Sequence, residues 1–93
     1  MIVSFACKQT ERLFHRFPVK GFPPGIRGVA LRKLLMISAA HTLNDLKVPP
    51  GNRLEKLQGD LAGLHSIRIN SQWRICFRWE GGNAHDVEIT DYH

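Results

Sequence analysis

Large apolar residues alternate with polar or small ones along Trp73-Arg74-Ile75-Cys76-Phe77-Arg78-Trp79-Glu80. A period of two marks a strand with one buried face. Trp73, Ile75, Phe77 and Trp79 are predicted to face a core, and Arg74, Cys76 and Arg78 to face away from it. His65–Asn70 repeats the pattern, with Ile67 and Ile69 on one side and Ser66, Arg68 and Asn70 on the other. Ala84–Asp91 is a third such strand, Val87 and Ile89 pointing inward. Gly81-Gly82-Asn83 supplies the positive-φ residues that a hairpin turn requires. Arg53–Leu57 and Ile2–Phe5 read as two shorter strands.

Elsewhere in the first half the period changes. Leu13, Phe14 and Phe17 share one side of a helix predicted over Glu11–Phe17, with Thr10 as its cap. Ile26, Ala30, Leu34 and Ile37 form the core stripe of a second helix over Ile26–Ala40. Lys33 borders that stripe and is expected to carry its head out to water. Leu31 and Leu35 fall on another side, so this helix is expected to be covered on two faces. Gly21-Phe22-Pro23-Pro24-Gly25, Pro49-Pro50-Gly51-Asn52 and Gly59–Gly63 are loops. The order β-α-α-β-β-β-β predicts one α+β domain over residues 1–93. Its two N-terminal helices pack on one face of a small, mainly antiparallel sheet.

A chain of 93 residues is long enough to bury one core without staples. Cys7 and Cys76 lie far apart with no metal-ligand spacing, which excludes a disulfide scaffold and suits a reducing compartment. Residues 1–7 lack the basic lead-in and length of a secretion signal. The apolar stretch around Val29–Ala40 is broken by Arg32 and Lys33 and is too short to span a bilayer. These features predict a cytoplasmic protein without a membrane partner.

Charge adds a second asymmetry. Of the 13 Lys and Arg, eight lie in residues 1–50 against Glu11 and Asp45, whereas residues 51–93 carry five against six acidic residues. The positive excess therefore sits in the helical half. It fits either a solvated helix surface or a polyanion partner such as nucleic acid.

The strand pattern also groups cations. Arg68, Arg74 and Arg78 share the sheet face that the helices leave open, where arginine's planar fork suits phosphate oxygens. Glu80, Asp86 and Glu88 are equally placed to pair with them as ordinary surface charges. Asp91-Tyr92-His93 follows the last strand and holds three side chains able to accept, donate or orient a proton. Strict alternation puts Tyr92 on the arginine face but Asp91 and His93 on the other. The tail must bend for all three to reach one phosphate. His15 and His41 read as surface residues. His65, His85 and His93 match no zinc-ligand spacing, so no metal or other cofactor is expected.

Asn52–Gly59, His65–Asn70, Gln72–Phe77 and the terminal Asp91-Tyr92-His93 together resemble the HigB-type toxins of the RelE/ParE superfamily. The likeness covers the whole chain in length and element order. It implies a RelE-like fold and a cytoplasmic toxin that cuts messenger RNA in the ribosomal decoding site. The substrate 2′-hydroxyl would be the nucleophile, with no metal. A HigA-type antitoxin with a helix-turn-helix domain would neutralise the toxin and carry it to operator DNA. Arg74 would contact the scissile phosphate, with Tyr92 and His93 at the chemistry and Asp91 beside them. Glu55 stands near where some relatives have a histidine, and Gln58 where a basic residue is common. Glu55 is thus either a substitute base or a passive carboxylate.

Arg53, Lys56, Arg68 and Arg78 are expected to bind RNA, and Arg12, Arg16, Arg27 and Arg32 to hold ribosomal RNA. Two rival readings share the fold. One is a ParE-like inhibitor of a DNA topoisomerase, and the other is an RNA-binding regulator that has lost catalysis.

Overall fold

The computed structural model describes residues 1–58 and 63–91. Along the chain come α1 (Lys8–Phe14), α2 (Pro24–Ala39), and 3₁₀ turns at Leu43–Lys47 and Pro50–Asn52. Then follow β1 (Glu55–Lys56), β2 (Leu64–Arg68), β3 (Trp73–Glu80) and β4 (Asn83–Asp91). The strands form one sheet in the order β1-β2-β3-β4, each antiparallel to the next. Gly81 and Gly82 have φ of 60° and 78° and join β3 to β4. Both central residues of this turn need positive φ, which glycine adopts without a Cβ clash.

Alternation in β3 holds as predicted. Ile75 and Phe77 are fully buried and pack with Ile67, Val87 and the α2 residues Leu34 and Ile37. Each side chain of this size contributes about 1.5–3 kcal/mol on burial. Trp73 closes one end of the core edge-on against Phe22, ring centroids 6.0 Å apart. Beyond β2, the Asn70 carboxamide oxygen accepts the backbone N–H groups of Gln72 and Trp73, both at 2.8 Å. This short-range capping bends residues 69–72 off the ladder, so β2 ends at Arg68 and not at Asn70.

One extra residue in β4 alters its pattern. Cys76 pairs with Glu88 but Arg78 with His85, so Phe77 faces two residues, Asp86 and Val87. Asp86 takes φ 53°, and the resulting bulge puts Ala84 and Val87 both inside although they are three apart. The Ser4 hydroxyl accepts the Asp86 N–H at 2.9 Å. The expected opening strand accordingly runs parallel to β4 as two separate bridges, Ile2 with Ala84 and Phe5 with Val87.

Further along β4 a different partner takes over. Helix α1 begins earlier than predicted, with Cys7 at its N-cap, and Thr10 does not cap it. Thr10 is wholly buried, and its Oγ1 accepts the Ile89 N–H at 3.1 Å. An edge N–H buried under a helix requires an acceptor, and Thr10 supplies it. Helix α1 closes through Arg16, whose φ of 64° lets the N–H of Phe17 reach the Arg12 carbonyl at 2.9 Å. Phe17 therefore lies outside the helix and is 56% exposed.

Helix α2 starts on Pro24, whose fixed φ suits the first position. Ile26, Ala30, Leu34 and Ile37 are all buried, as their spacing required. Leu35 is exposed, so α2 is not covered on two faces there. Among the described residues, no helix is long and apolar enough to cross a membrane.

Candidate active site

Directly opposed residues of antiparallel strands share a face. The register therefore assigns the side of each residue. Glu55, Ser66, Cys76 and Glu88 form one row across all four strands, and Arg68, Arg74 and Thr90 the next. Leu64, Arg78 and His85 form a third row beyond the bulge. All three rows lie on the face away from the helices, as predicted for Arg68, Arg74 and Arg78.

Arg74 is the centre of this face. Its side chain is only 10% exposed. Nε donates to the Ser66 hydroxyl at 2.8 Å, and Nη2 donates to the Arg53 carbonyl at 2.7 Å and more weakly to the Ser66 carbonyl at 3.4 Å. Glu55 stands 3.9 Å from the same Nη2 and is 56% exposed. Nη1 has no protein partner among the described residues, and it is not sealed from solvent. The guanidinium is thus fixed by neutral oxygens on one edge and leaves donors on the other. That is a charged, oriented fork with little rotational entropy left to lose on meeting an anion.

Arg68 lies directly opposite Arg74 and forms no hydrogen bond or ion pair among the described residues. Two like charges in register are unfavourable by themselves. A phosphate between them reverses that sign. Arg78 differs, since it donates to Glu80 and, at 3.5 Å, to Asp86. Arg78 thus pairs with surface carboxylates, where Arg68 and Arg74 do not share its partners. Burial pushes the Cys76 thiol above its ordinary value, and the Thr90 hydroxyl bonded to it pulls the other way.

The remaining expected residues scatter. Lys56 pairs with His65, which pairs with Phe77, so Lys56 lies on the helix side of the sheet and not with the arginines. A one-residue step along a strand reverses the face. His65 is pulled below its ordinary value by burial and then by the charge of Lys56. Its ring lies 6.1 Å from that of Phe77. Arg53 contributes its backbone carbonyl to Arg74, from a left-handed conformation with φ 45°. Asp91 pairs with Trp73, in the row beside that of Arg74, and accepts a hydrogen bond from Gln72 Nε2 at 3.2 Å. The register thus leaves Asp91 on the helix side, as alternation required. Tyr92 and His93 lie outside the described residues.

On the helical half, Arg12 donates to the Pro18 carbonyl at 2.9 Å and lies over the Phe17 ring. Arg27 donates to the Phe22 carbonyl at 2.7 and 3.0 Å. These partners are neutral carbonyls, neither arginine has an ion pair among the described residues, and Arg16 and Arg32 are exposed. Lys8, Gln9, Arg12, Pro18, Val19 and Lys20 line an open concavity of about 470 Å³ containing no carboxylate.

Four residues make contacts that their sequence pattern did not announce. Ser66 passed as an ordinary strand polar residue, although its position opposite Cys76, diagonal to Arg74, was readable from the register. Arg53, expected to contact RNA by its side chain, also offers its backbone carbonyl to Arg74. Lys33 does not reach water, because it is buried and donates its Nζ to Asn52 Oδ1 at 2.5 Å. Burial, then the neighbouring charge of Arg32, lowers the Lys33 ammonium from its ordinary value. Asn52, itself fully buried, had passed as part of a breaker cluster.

Comparison with known proteins draws the fold and face together. Residues 3–93 match the family described as the RelE-like toxin of the type II toxin–antitoxin system HigB. The chain is 47% identical over 89 residues to "Toxin HigB-1" of Vibrio cholerae, covering 90% of each. It is 31% identical over 93 residues to "Endoribonuclease HigB" of Proteus vulgaris, covering all of both. Among solved structures, the YoeB–YefM toxin–antitoxin complex of Staphylococcus aureus contains a chain matching with a TM-score of 0.62. That match has 18% identity and covers 100% of this chain and 98% of the other. A YafQ mutant of E. coli gives the same TM-score at 11% identity, covering 98% and 93%. These two likenesses bear on the fold alone.

Proposed function

The chain belongs to the family of RelE-like HigB toxins of type II toxin–antitoxin systems, and from that premise we propose that it is a ribosome-dependent endoribonuclease acting on messenger RNA. The observation that carries this reading is the guanidinium of Arg74, bonded along one edge and open along the other, with Arg68 directly across. The Proteus vulgaris relative bears the name of an endoribonuclease, which agrees with it.

In this mechanism a 2′-hydroxyl of the messenger attacks the adjacent phosphorus. The 2′-oxygen to phosphorus bond forms, the bond to the 5′-oxygen breaks, and a cyclic phosphate remains on the upstream fragment. One group takes the 2′-hydroxyl proton and another gives a proton to the departing 5′-oxygen. Arg74, supported by Arg68, holds the non-bridging oxygens as their charge grows. Tyr92 and His93 carry the protons, with Asp91 held beside them and Glu55 available as a base next to Arg74. The basic helical half, through Arg12, Arg16, Arg27 and Arg32, holds ribosomal RNA by charge and not by sequence. A helix-turn-helix antitoxin of the HigA type is the partner, and operator DNA is reached only through it.

Expression of the chain without antitoxin, with messenger ends mapped on translating ribosomes, tests this. Cuts are expected from the unaltered chain and are expected to fall to a small residual rate in Arg74→Ala, Tyr92→Phe and His93→Ala. Intact messages with DNA-damage signalling would move the reading to topoisomerase inhibition. Binding without cuts would leave a regulator.

A further inference from the structure

We infer that Lys33 and Asn52 are positioning residues for the phosphate-holding arginine, acting through the backbone of Arg53. The inference rests on the reading of Arg74 given above.

The chain of contacts is continuous. Lys33 lies on α2 and is buried, with no ion pair among the described residues; its ammonium donates to Asn52 Oδ1. The Asn52 amide nitrogen donates to the carbonyls of Leu46 and Val48, at 3.2 and 3.3 Å. One fully buried side chain therefore ties the helix, the 3₁₀ turn at Leu43–Lys47 and the segment after it to a single point. Arg53 follows at once, in the left-handed region with φ 45° and ψ 57°, its N–H donating to the Pro50 carbonyl at 3.1 Å. That conformation is costly for a residue with a Cβ and persists only where its surroundings hold it. It aims the Arg53 carbonyl at Arg74 Nη2, 2.7 Å away. Two residues later the same turn delivers Glu55 into the row of Ser66, 3.9 Å from Arg74.

A buried ammonium that has, among the described residues, an amide for its partner is a poor device for stability, since desolvation opposes it. Its pKa is accordingly lowered. A site that must hold a fork within a fraction of an ångström has another use for such an anchor. Displacement of a catalytic group by about 1 Å can cost on the order of a hundredfold in rate. Ser66 fixes Nε, and the Arg53 carbonyl fixes Nη2, so the two together set the plane of the guanidinium. Loss of the second leaves the arginine present but free to rotate.

The test uses the full chain and messenger cleavage on translating ribosomes, with kcat and KM measured separately. Arg53→Val keeps a carbonyl but disfavours φ 45°, and it is expected to lower kcat about tenfold or more. Arg53→Gly accepts that φ while removing the side chain, and it is expected to raise KM with kcat reduced no more than about threefold. Lys33→Met is expected to lower kcat as Arg53→Val does. In an Arg74→Ala background neither change lowers the residual rate further. Thermal melts confirm that each variant is folded at the assay temperature. If Lys33→Met does not fold, the two Arg53 variants decide on their own.

Equal kcat losses in Arg53→Gly and Arg53→Val would overturn the positioning role, because the side chain would then be the active part. So would unchanged kcat in Arg53→Val, or losses that multiply with that of Arg74→Ala. Full cleavage by Arg74→Ala alone would instead overturn the role of Arg74 in the reaction, and the positioning with it.

Discussion

The two faces of the sheet are built from the same strands by opposite rules. On the helix side, Ile67, Ile75, Phe77, Val87 and Ile89 interlock under α2, and burial alone explains each of them. On the open side, Ser66, Arg74 and Cys76 are also buried, yet two of these are polar or charged. The helix side would accept another apolar residue of similar volume. Arg74 admits no such exchange, since the Ser66 hydroxyl and the Arg53 carbonyl would lose their donors. The difference is one of selection: the first face is selected by volume, and the second, the proposed phosphate site, by hydrogen-bond direction.

Phe77→Ala should break the first face most severely. Removal of a fully buried phenyl is expected to cost about 3–5 kcal/mol, read as a lower denaturation midpoint in urea. Arg74→Lys is the matching change on the second face. It keeps the charge and loses the fork, so cleavage should fall about a hundredfold while the melting temperature changes far less. A parallel fall in both quantities would mean that the open face is simply core.

Arg68→Gln sharpens the comparison further, because its two effects should have opposite signs. Relief of the like-charge pair with Arg74 should stabilise the free protein by about 0.2–1 kcal/mol. The same change should raise KM for messenger, and cleavage kinetics beside a melt would show both.

The smallest effect belongs to acid. His65 on the helix side has its value lowered below the ordinary 6.5 by burial and by Lys56. Between the lowered value and 6.5 the unfolded chain binds more protons, so stability rises with pH across that window. It falls as pH drops through the same window, and His65→Gln should flatten this part of the stability profile.

Most of the fold was legible because its signals are local. The β3 pattern, the α2 stripe and the Gly81-Gly82 turn each need only a few neighbouring residues. Thr10 misled because a threonine before an apolar run is an ordinary cap, and the buried N–H of Ile89 that claims it lies 79 positions away. The β4 bulge was likewise invisible, since Asp86 does not advertise a positive φ. Of the site, the arginine face could be read by parity, whereas the side taken by Lys56 follows from the register of β1 on β2. Leu35 and Lys33 failed together, because the spacing of α2 does not say what lies beside it.

By itself, then, the sequence determined which residues face the helices and which face away, that arginines line the open face, and that the chain resembles a family of RNA-cutting toxins. Only the tertiary structure decided which arginine is held and by what. It set Arg78 among carboxylates, left Arg68 without a partner among the described residues, and locked Arg74 between a hydroxyl and a carbonyl. The reason is physical. Periodicity is a property of neighbours along a chain, whereas the partner of a buried guanidinium is set by where distant segments close. Here that closure runs from Lys33 on α2, through Asn52, to the backbone of Arg53.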